Sequence, residues 1–308
     1  LLHEGQQVRS TIQHFFQERF LNPRTTNNKW DEELHREGGT KDEFIETVRT
    51  GDVVDPDRFH VFTREDFEHL CSQKLRRKTS GGKEGFTYDL LKSASPKTRD
   101  IIFEEYYGPY SKGEADRIPG TEACLLNLLP KPGDITLLPK LRPIGLQSAP
   151  HQIADGMHME TGRAEITRIA DWVLHGFLRN SNIADAKWEV RSVTEEAFMA
   201  GKPWLWLATD VFKEVDDGIR EAVAAVMEGL GCQKWWIHQW ERSWEGVKCQ
   251  IRTPHGLTGW VHWHRGVIQG SRSGPLHYVM VTIYVARAIR KERPEVYQVW
   301  VADDGLFG

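Results

Sequence analysis

Cysteine is scarce in this 308-residue chain: Cys71, Cys124, Cys232 and Cys249 are the only four, and no two have C-x-x-C spacing. The pattern excludes a zinc ribbon or a disulfide framework, and all four are expected as ordinary thiols of a reducing compartment. Long apolar runs are lacking as well. No stretch approaches the length of a membrane span, and LLHEGQQVRS does not have the basic-then-apolar order of a signal peptide. The expectation is an intracellular protein without a membrane partner. Excess positive charge is also missing: 40 Lys and Arg stand against 44 Asp and Glu, a formal net charge of −4. A nucleic acid could therefore be held only by a local basic surface, not by overall charge. No internal repeat or low-complexity tract is present. Tryptophan, by contrast, is abundant, and its twelve residues are expected mainly as core filler.

What is present has uneven texture. VRSTIQHFFQERF places Ile12, Phe15, Phe16 and Phe20 at helical spacing, and the polar stretch after it, NPRTTNNKWDEELHREGGTKDE, has the punctuation of a linker. Thr63, with Asp66 three residues on, forms a capping box at the head of an amphipathic helix. That helix runs into a basic cluster of Lys74, Arg76, Arg77 and Lys78, which fits either a phosphate-tracking surface or a charged helix end. LLNLLPKPGDITLLPKLRPIGL predicts two short strands around a Pro-Gly turn. IREAVAAVMEGLG and PLHYVMVTIYVARAIRK predict helices, GWVHWHRGVIQG a strand, and VYQVWVADDGLF a strand, a turn and the start of a second strand.

Acids stand out at the ends of apolar strands. WLWLA delivers Asp210, and VYQVWVA delivers Asp303 and Asp304. Strands of this kind pair side by side, so acids far apart in sequence can converge. Converging carboxylates repel one another unless divalent cations neutralise them, and an oxygen-only donor set selects a hard ion, above all magnesium. Two such ions roughly 3.5–4 Å apart support nucleotidyl transfer. A lone Asp-Asp pair in a turn, however, is commonplace and far more often a solvated turn than a metal site.

The order of several short elements narrows the choice. GGKEGF, LPKPG, KLRPIGL, HGFLRN, TDVFKEVD, RGVIQGSRSGP and VADD follow one another along the chain. In this order they resemble the reverse transcriptases of non-LTR (LINE-type) retrotransposons and group II introns, from about Phe62 to the last residue. The resemblance implies that Asp210, Asp303 and Asp304 are the catalytic, metal-binding acids, with two Mg2+ ions as cofactor and Mn2+ as a possible substitute. It places Lys131 and Arg142 on the incoming nucleotide, as a point charge and a bidentate fork. Gln269 and Gly270 would approach the template–nucleotide pair, although Gly270 also fits a plain turn. Lys213 and Asp216 match the family's lysine and second acid after Asp210, with Asp216 also suited to a helix cap. The implied partners are an RNA template, a DNA primer or RNA–DNA hybrid, and dNTPs, and the implied site is the nucleus if the parent is a eukaryotic retroelement.

Departures from the family pattern carry their own expectations. Val215 replaces the aromatic residue that excludes a 2′-hydroxyl in the family, Val301 the aromatic before the acids, Gly274 the serine before proline, and Glu84 an aspartate. The Val215 change implies weaker rejection of ribonucleotides. The family continues past the acid doublet into further palm strands and a helical thumb, so the resemblance implies a thumb and flanking domains supplied from outside this segment, and weak primer extension by the segment alone.

The expected fold is α+β: a right-hand polymerase without its thumb, with an antiparallel palm sheet backed by helices. Its expected divisions are a helical extension and linker over 1–61, fingers over 62–204 and an incomplete palm over 205–308. RNA-dependent RNA polymerases share the palm and its acids, but the Gln269-Gly270 loop points away from them. A non-catalytic or degenerate reverse-transcriptase-like domain that only binds nucleic acid is the alternative of a different class. Zinc at His262, His264 and Cys249 lacks a fourth ligand, and aromatic packing on a strand is preferred there.

Overall fold

A computed structural model describes residues 2–20, 40–75, 82, 85, 87–115, 117–133, 137–178, 181–210, 220–264, 266–302 and 304–308. The linker after Phe20 and most of the basic cluster after Lys74 lie outside the described residues. The chain opens with α1 (Leu2–Phe20), whose Phe16 and Phe20 are buried one turn apart and stack on each other. Phe20 also stacks on Trp263 with ring centroids 3.7 Å apart. α2 (Lys41–Val48) begins at a Thr40–Glu43 capping box. α3 (Arg64–His69) begins at the expected one: Thr63 Oγ1 accepts from the Asp66 N–H, and the Asp66 carboxylate accepts from the Thr63 N–H. A π-helical turn, Leu70–Lys74, continues it. α4 (Tyr88–Ser93) is followed by α5 (Pro96–Ile102), which is capped by Ser95 and led by a proline where the missing N–H costs nothing. A second π-helical turn, Phe103–Tyr107, leads into α6 (Gly108–Ser111).

The first strands are β1 (Ala123–Pro130) and β2 (Leu141–Gln147), the expected hairpin. Long α7 (Ala149–Ile169) and α8 (Ile183–Met199) come next, then β3 (Leu207–Asp210), which is shorter than WLWLATD promised. α9 (Arg220–Gly229) and α10 (Lys234–Trp244) precede β4 (Lys248–Thr253) and the short β5 (Gly256–Leu257) and β6 (Val261–His262). The strand expected over GWVHWHRGVIQG is reduced to Val261 and His262, the two residues that pair with β4. α11 (Gly274–Glu292), β7 (Gln298–Val301) and β8 (Asp304–Phe307) complete the order. The architecture is thus α+β. Among the described residues no helix is long and apolar enough to cross a membrane.

The described residues divide into two units, each woven from three segments. Unit one takes Leu1–Asn27, His60–Thr161 and Lys234–Gly274. Its sheet has the order β2-β1-β4-β5, with β6 also on β4, and β1 and β4 run parallel. This sheet is mixed. One core cluster gathers Phe67, Cys71, Leu75, Leu91, Phe103 and Ile153. In α10, Trp236, Trp240 and Trp244 recur every fourth residue and are all fully buried, which accounts for three of the twelve tryptophans.

Cys124 and Cys249 stand opposite each other in the β1–β4 register, with Cα atoms 4.7 Å apart, and are joined as a disulfide. This corrects the expectation of four free thiols. Cys71 and Cys232 do remain free, and burial pushes each thiol up to about 12, which keeps the nucleophilic thiolate rare.

Unit two takes Asn28–Phe59, Gly162–Gln233 and Pro275–Gly308. Its sheet is antiparallel, in the order β3-β8-β7. Arg287, 2% exposed on α11, ties its parts together. Its guanidinium donates to Asp171 Oδ2 at 3.1 Å and to the carbonyls of Val48, Asp52 and Ile169.

Candidate functional site

The acids are positioned by the β7–β8 hairpin and its neighbour β3. Val299 and Trp300 bury β7 on one side of the hairpin, and Val301 pairs with Asp304 at its tip. On the other side of β8 the register runs Leu207 with Phe307, Ala208 with Leu306, Thr209 with Gly305, and Asp210 with Asp304. Gly305 is the residue that lets these strands close here. A Cβ on it would stand 2.9 Å from both Thr209 Oγ1 and the Trp300 ring. The backbones of Asp210 and Asp304 therefore occupy one rung of the sheet, and Asp304 is exposed. Asp303 lies outside the described residues, as do Lys213, Val215 and Asp216. Among the described residues no group of three or more His, Cys, Asp or Glu stands together as a metal site, and Asp303 is not among those residues.

The residues assigned to the incoming nucleotide belong to unit one. Lys131 follows β1, half-buried, and its N–H donates to the Lys140 carbonyl at 2.8 Å, closing the mouth of the β1–β2 hairpin. Arg142 is exposed on β2 opposite Leu129. The Gln269 carbonyl accepts from the Gly145 N–H at 2.7 Å, so the RPIG strand and the VIQG loop are stitched backbone to backbone. Gly270 has φ +109°, and a Cβ there would stand 2.8 Å from the Gly145 carbonyl oxygen. Its glycine is thus required by the packing of this loop itself. Gly274, where the family carries serine, heads α11 with its N–H donating to Ser271 Oγ, and a Cβ at Gly274 would meet that oxygen at 2.9 Å.

Other groups hold this loop and were not foreseen. Asp155, buried on α7, accepts the Ser273 N–H at 2.8 Å. Arg272 lies over the Tyr88 ring, 5.6 Å from its centroid, and the Tyr88 hydroxyl donates to Gln152 at 2.7 Å. Burial raises the Tyr88 hydroxyl pKa, partly offset by Arg272. A legible signal existed: His151, Asp155 and His158 recur at helical spacing within α7, a polar stripe on what proves to be a buried face.

The zinc alternative fails on chemistry. Cys249 is held in the disulfide, and His262 and His264 stack on each other with centroids 5.8 Å apart. Compared with known proteins, the chain matches no family model and no curated sequence.

Proposed function

We propose that this chain is the fingers and palm portion of an RNA-directed DNA polymerase of the non-LTR retrotransposon and group II intron type. In this reading the fingers span 62–204 and the palm 205–308. The observation that carries it is the rung shared by Asp210 and Asp304, acids far apart in sequence that meet on neighbouring strands. Like charges directly opposed in a ladder destabilise it, and an all-carboxylate donor set suits a hard cation. Asp210, Asp303 and Asp304 would hold two Mg2+ ions, or Mn2+ in their place. When bound, such ions make the primer 3′-hydroxyl a better nucleophile and stabilise the charge on the departing pyrophosphate.

The remaining roles belong to the chain itself. Arg142, exposed on β2, offers a planar fork for phosphate oxygens, and Lys131 a compact positive charge beside it in sequence order. Gln269 and Gly270 carry the loop that would face the template–nucleotide pair. The partners are an RNA template, a DNA primer or hybrid, and dNTPs.

The test is extension of a DNA primer on an RNA template with Mg2+ or Mn2+, run beside Asp303→Ala and Asp304→Ala. Weak extension that falls to background in Asp303→Ala and is reduced in Asp304→Ala, the weaker contributor, is the expected result. Extension that survives Asp303→Ala overturns the reading. Hybrid binding without extension by any form assigns the chain to the non-catalytic, nucleic-acid-binding class instead.

A further inference from the structure

Ala302 immediately precedes the acid doublet and has φ +52°, a left-handed conformation that residues with a Cβ rarely hold. Such a backbone persists where its surroundings over-determine it. Two neighbours do so, and a third braces one of them. From α11, the Tyr278 hydroxyl donates to the Ala302 carbonyl at 2.6 Å. Gly176 lies so close that a Cβ on it would stand 2.3 Å from the Ala302 nitrogen and 2.9 Å from its Cα. Phe177, itself left-handed at φ +60°, sets its ring edge-on to Tyr278 with centroids 5.8 Å apart.

The segment that carries Gly176 and Phe177 is anchored along β7. The Trp300 N–H donates to the Val173 carbonyl, and the His175 N–H to the Trp300 carbonyl, both at 2.8 Å. His175 is fixed in turn by Glu189 at 2.6 Å and Ser181 at 3.1 Å. Tyr278 is 7% exposed, so water competes poorly for its hydroxyl. The gap between Tyr278, Gly176, Trp300 and Ala302 holds about 10 Å³, room for no more than one water. It is a packed joint, too small for a ligand.

We propose that Tyr278 and Gly176 are positioning residues that lock Ala302 left-handed and thereby fix the chain that leads into Asp304. The lock is a property of the fold. Its consequence, a cation site formed before the cation arrives, rests on the polymerase reading above.

Backbone hydrogen exchange over 301–305 tests the lock, compared among the wild type, Tyr278→Phe and Tyr278→Phe/Ala302→Gly. Mn2+ titration followed by electron paramagnetic resonance runs alongside. Loss of one hydrogen bond speeds exchange of the Asp304 and Gly305 amides about tenfold, with the α8 and α9 amides unchanged. Glycine, which accepts positive φ freely, brings the rate back to within about twofold of the wild type. Mn2+ affinity falls and recovers with the exchange rate. Unchanged exchange in Tyr278→Phe overturns the inference, and so does a uniform increase across unit two. Mn2+ binding absent from the wild type, with the exchange pattern as expected, keeps the lock and removes the polymerase reading.

Discussion

Truncating Arg287 to methionine keeps most of the side-chain volume and removes the charged fork. Four partners then lose their donor: the Asp171 carboxylate and the carbonyls of Val48, Asp52 and Ile169. Removing one member of a buried ion pair costs about 3–5 kcal/mol, because the other charge stays behind. Asp171 keeps a second cation, Arg290 at 2.7 Å, which pulls its share towards the lower end. Each buried carbonyl left without a donor adds about 1 kcal/mol or more. The net expectation is about 6 kcal/mol, a fall of roughly 12–24 °C in Tm for a domain of this size. Urea unfolding followed by tryptophan fluorescence reads the difference. A second substitution isolates its source. A Cβ on Gly51 would stand 2.7 Å from Arg287 Nε and Cζ, so Gly51→Ala should destabilise the wild type yet cost little in an Arg287→Ala background, where both atoms are gone. Arg287→Met within about 1 kcal/mol of the wild type, or Gly51→Ala equally costly in both backgrounds, would refute the reasoning.

His158 supplies a pH dependence. It stacks on Trp236 at 4.2 Å, and burial, slightly offset by Gln239, pushes its pKa down to about 3. The unfolded chain, with a pKa near 6.5, then takes up the proton first. The associated stability is complete at neutral pH and is lost as pH falls below about 6.5 towards 3. Between pH 7.5 and 5 the loss is about 2 kcal/mol, and His158→Phe should abolish that part of the slope in urea titrations at the two pH values; an unaltered slope refutes it. The Cys124–Cys249 bridge joins residues 125 apart, so Cys124→Ser should lower stability by about 2–4 kcal/mol in oxidising buffer and by little under reductant. Thiol counting of the denatured, unreduced protein should find two reactive groups, and four would show that the bridge does not form. Val215→Phe should raise the preference for dNTP over rNTP in primer extension, a result excluded if the wild type already rejects rNTP strongly.

Signals confined to one turn of chain were legible in the sequence. The Thr63–Asp66 box, the α9 and α11 helices and the β7–β8 hairpin all rest on neighbours within a few residues, and each forms where the pattern placed it. The meeting of Asp210 with Asp304 was legible at one remove, because both acids end apolar strands. Long-range partners were not. Nothing in the spacing of Cys124 and Cys249 announces a parallel register between β1 and β4. The Asp155–Ser273 and Arg287–Asp171 links likewise join positions more than a hundred residues apart. The burial of His158 was not legible for a related reason, since it depends on a tryptophan from α10 that stacks over it. The π-helical turns at Leu70–Lys74 and Phe103–Tyr107 have no local sequence mark that distinguishes them from ordinary helix.

The weave of β1 and β4 also sets an order of events during synthesis. β1 finds β2 at once, across a short connection, but its parallel neighbour emerges 125 residues later. At about 5–20 residues per second the ribosome needs roughly 6–25 s to deliver it. Throughout that interval the hairpin carries an apolar strand with one open edge, the feature that invites pairing with another chain. The nascent protein should therefore be most vulnerable to misassembly after the β1–β2 hairpin has left the ribosome and before Lys248–Thr253 arrives to cover it.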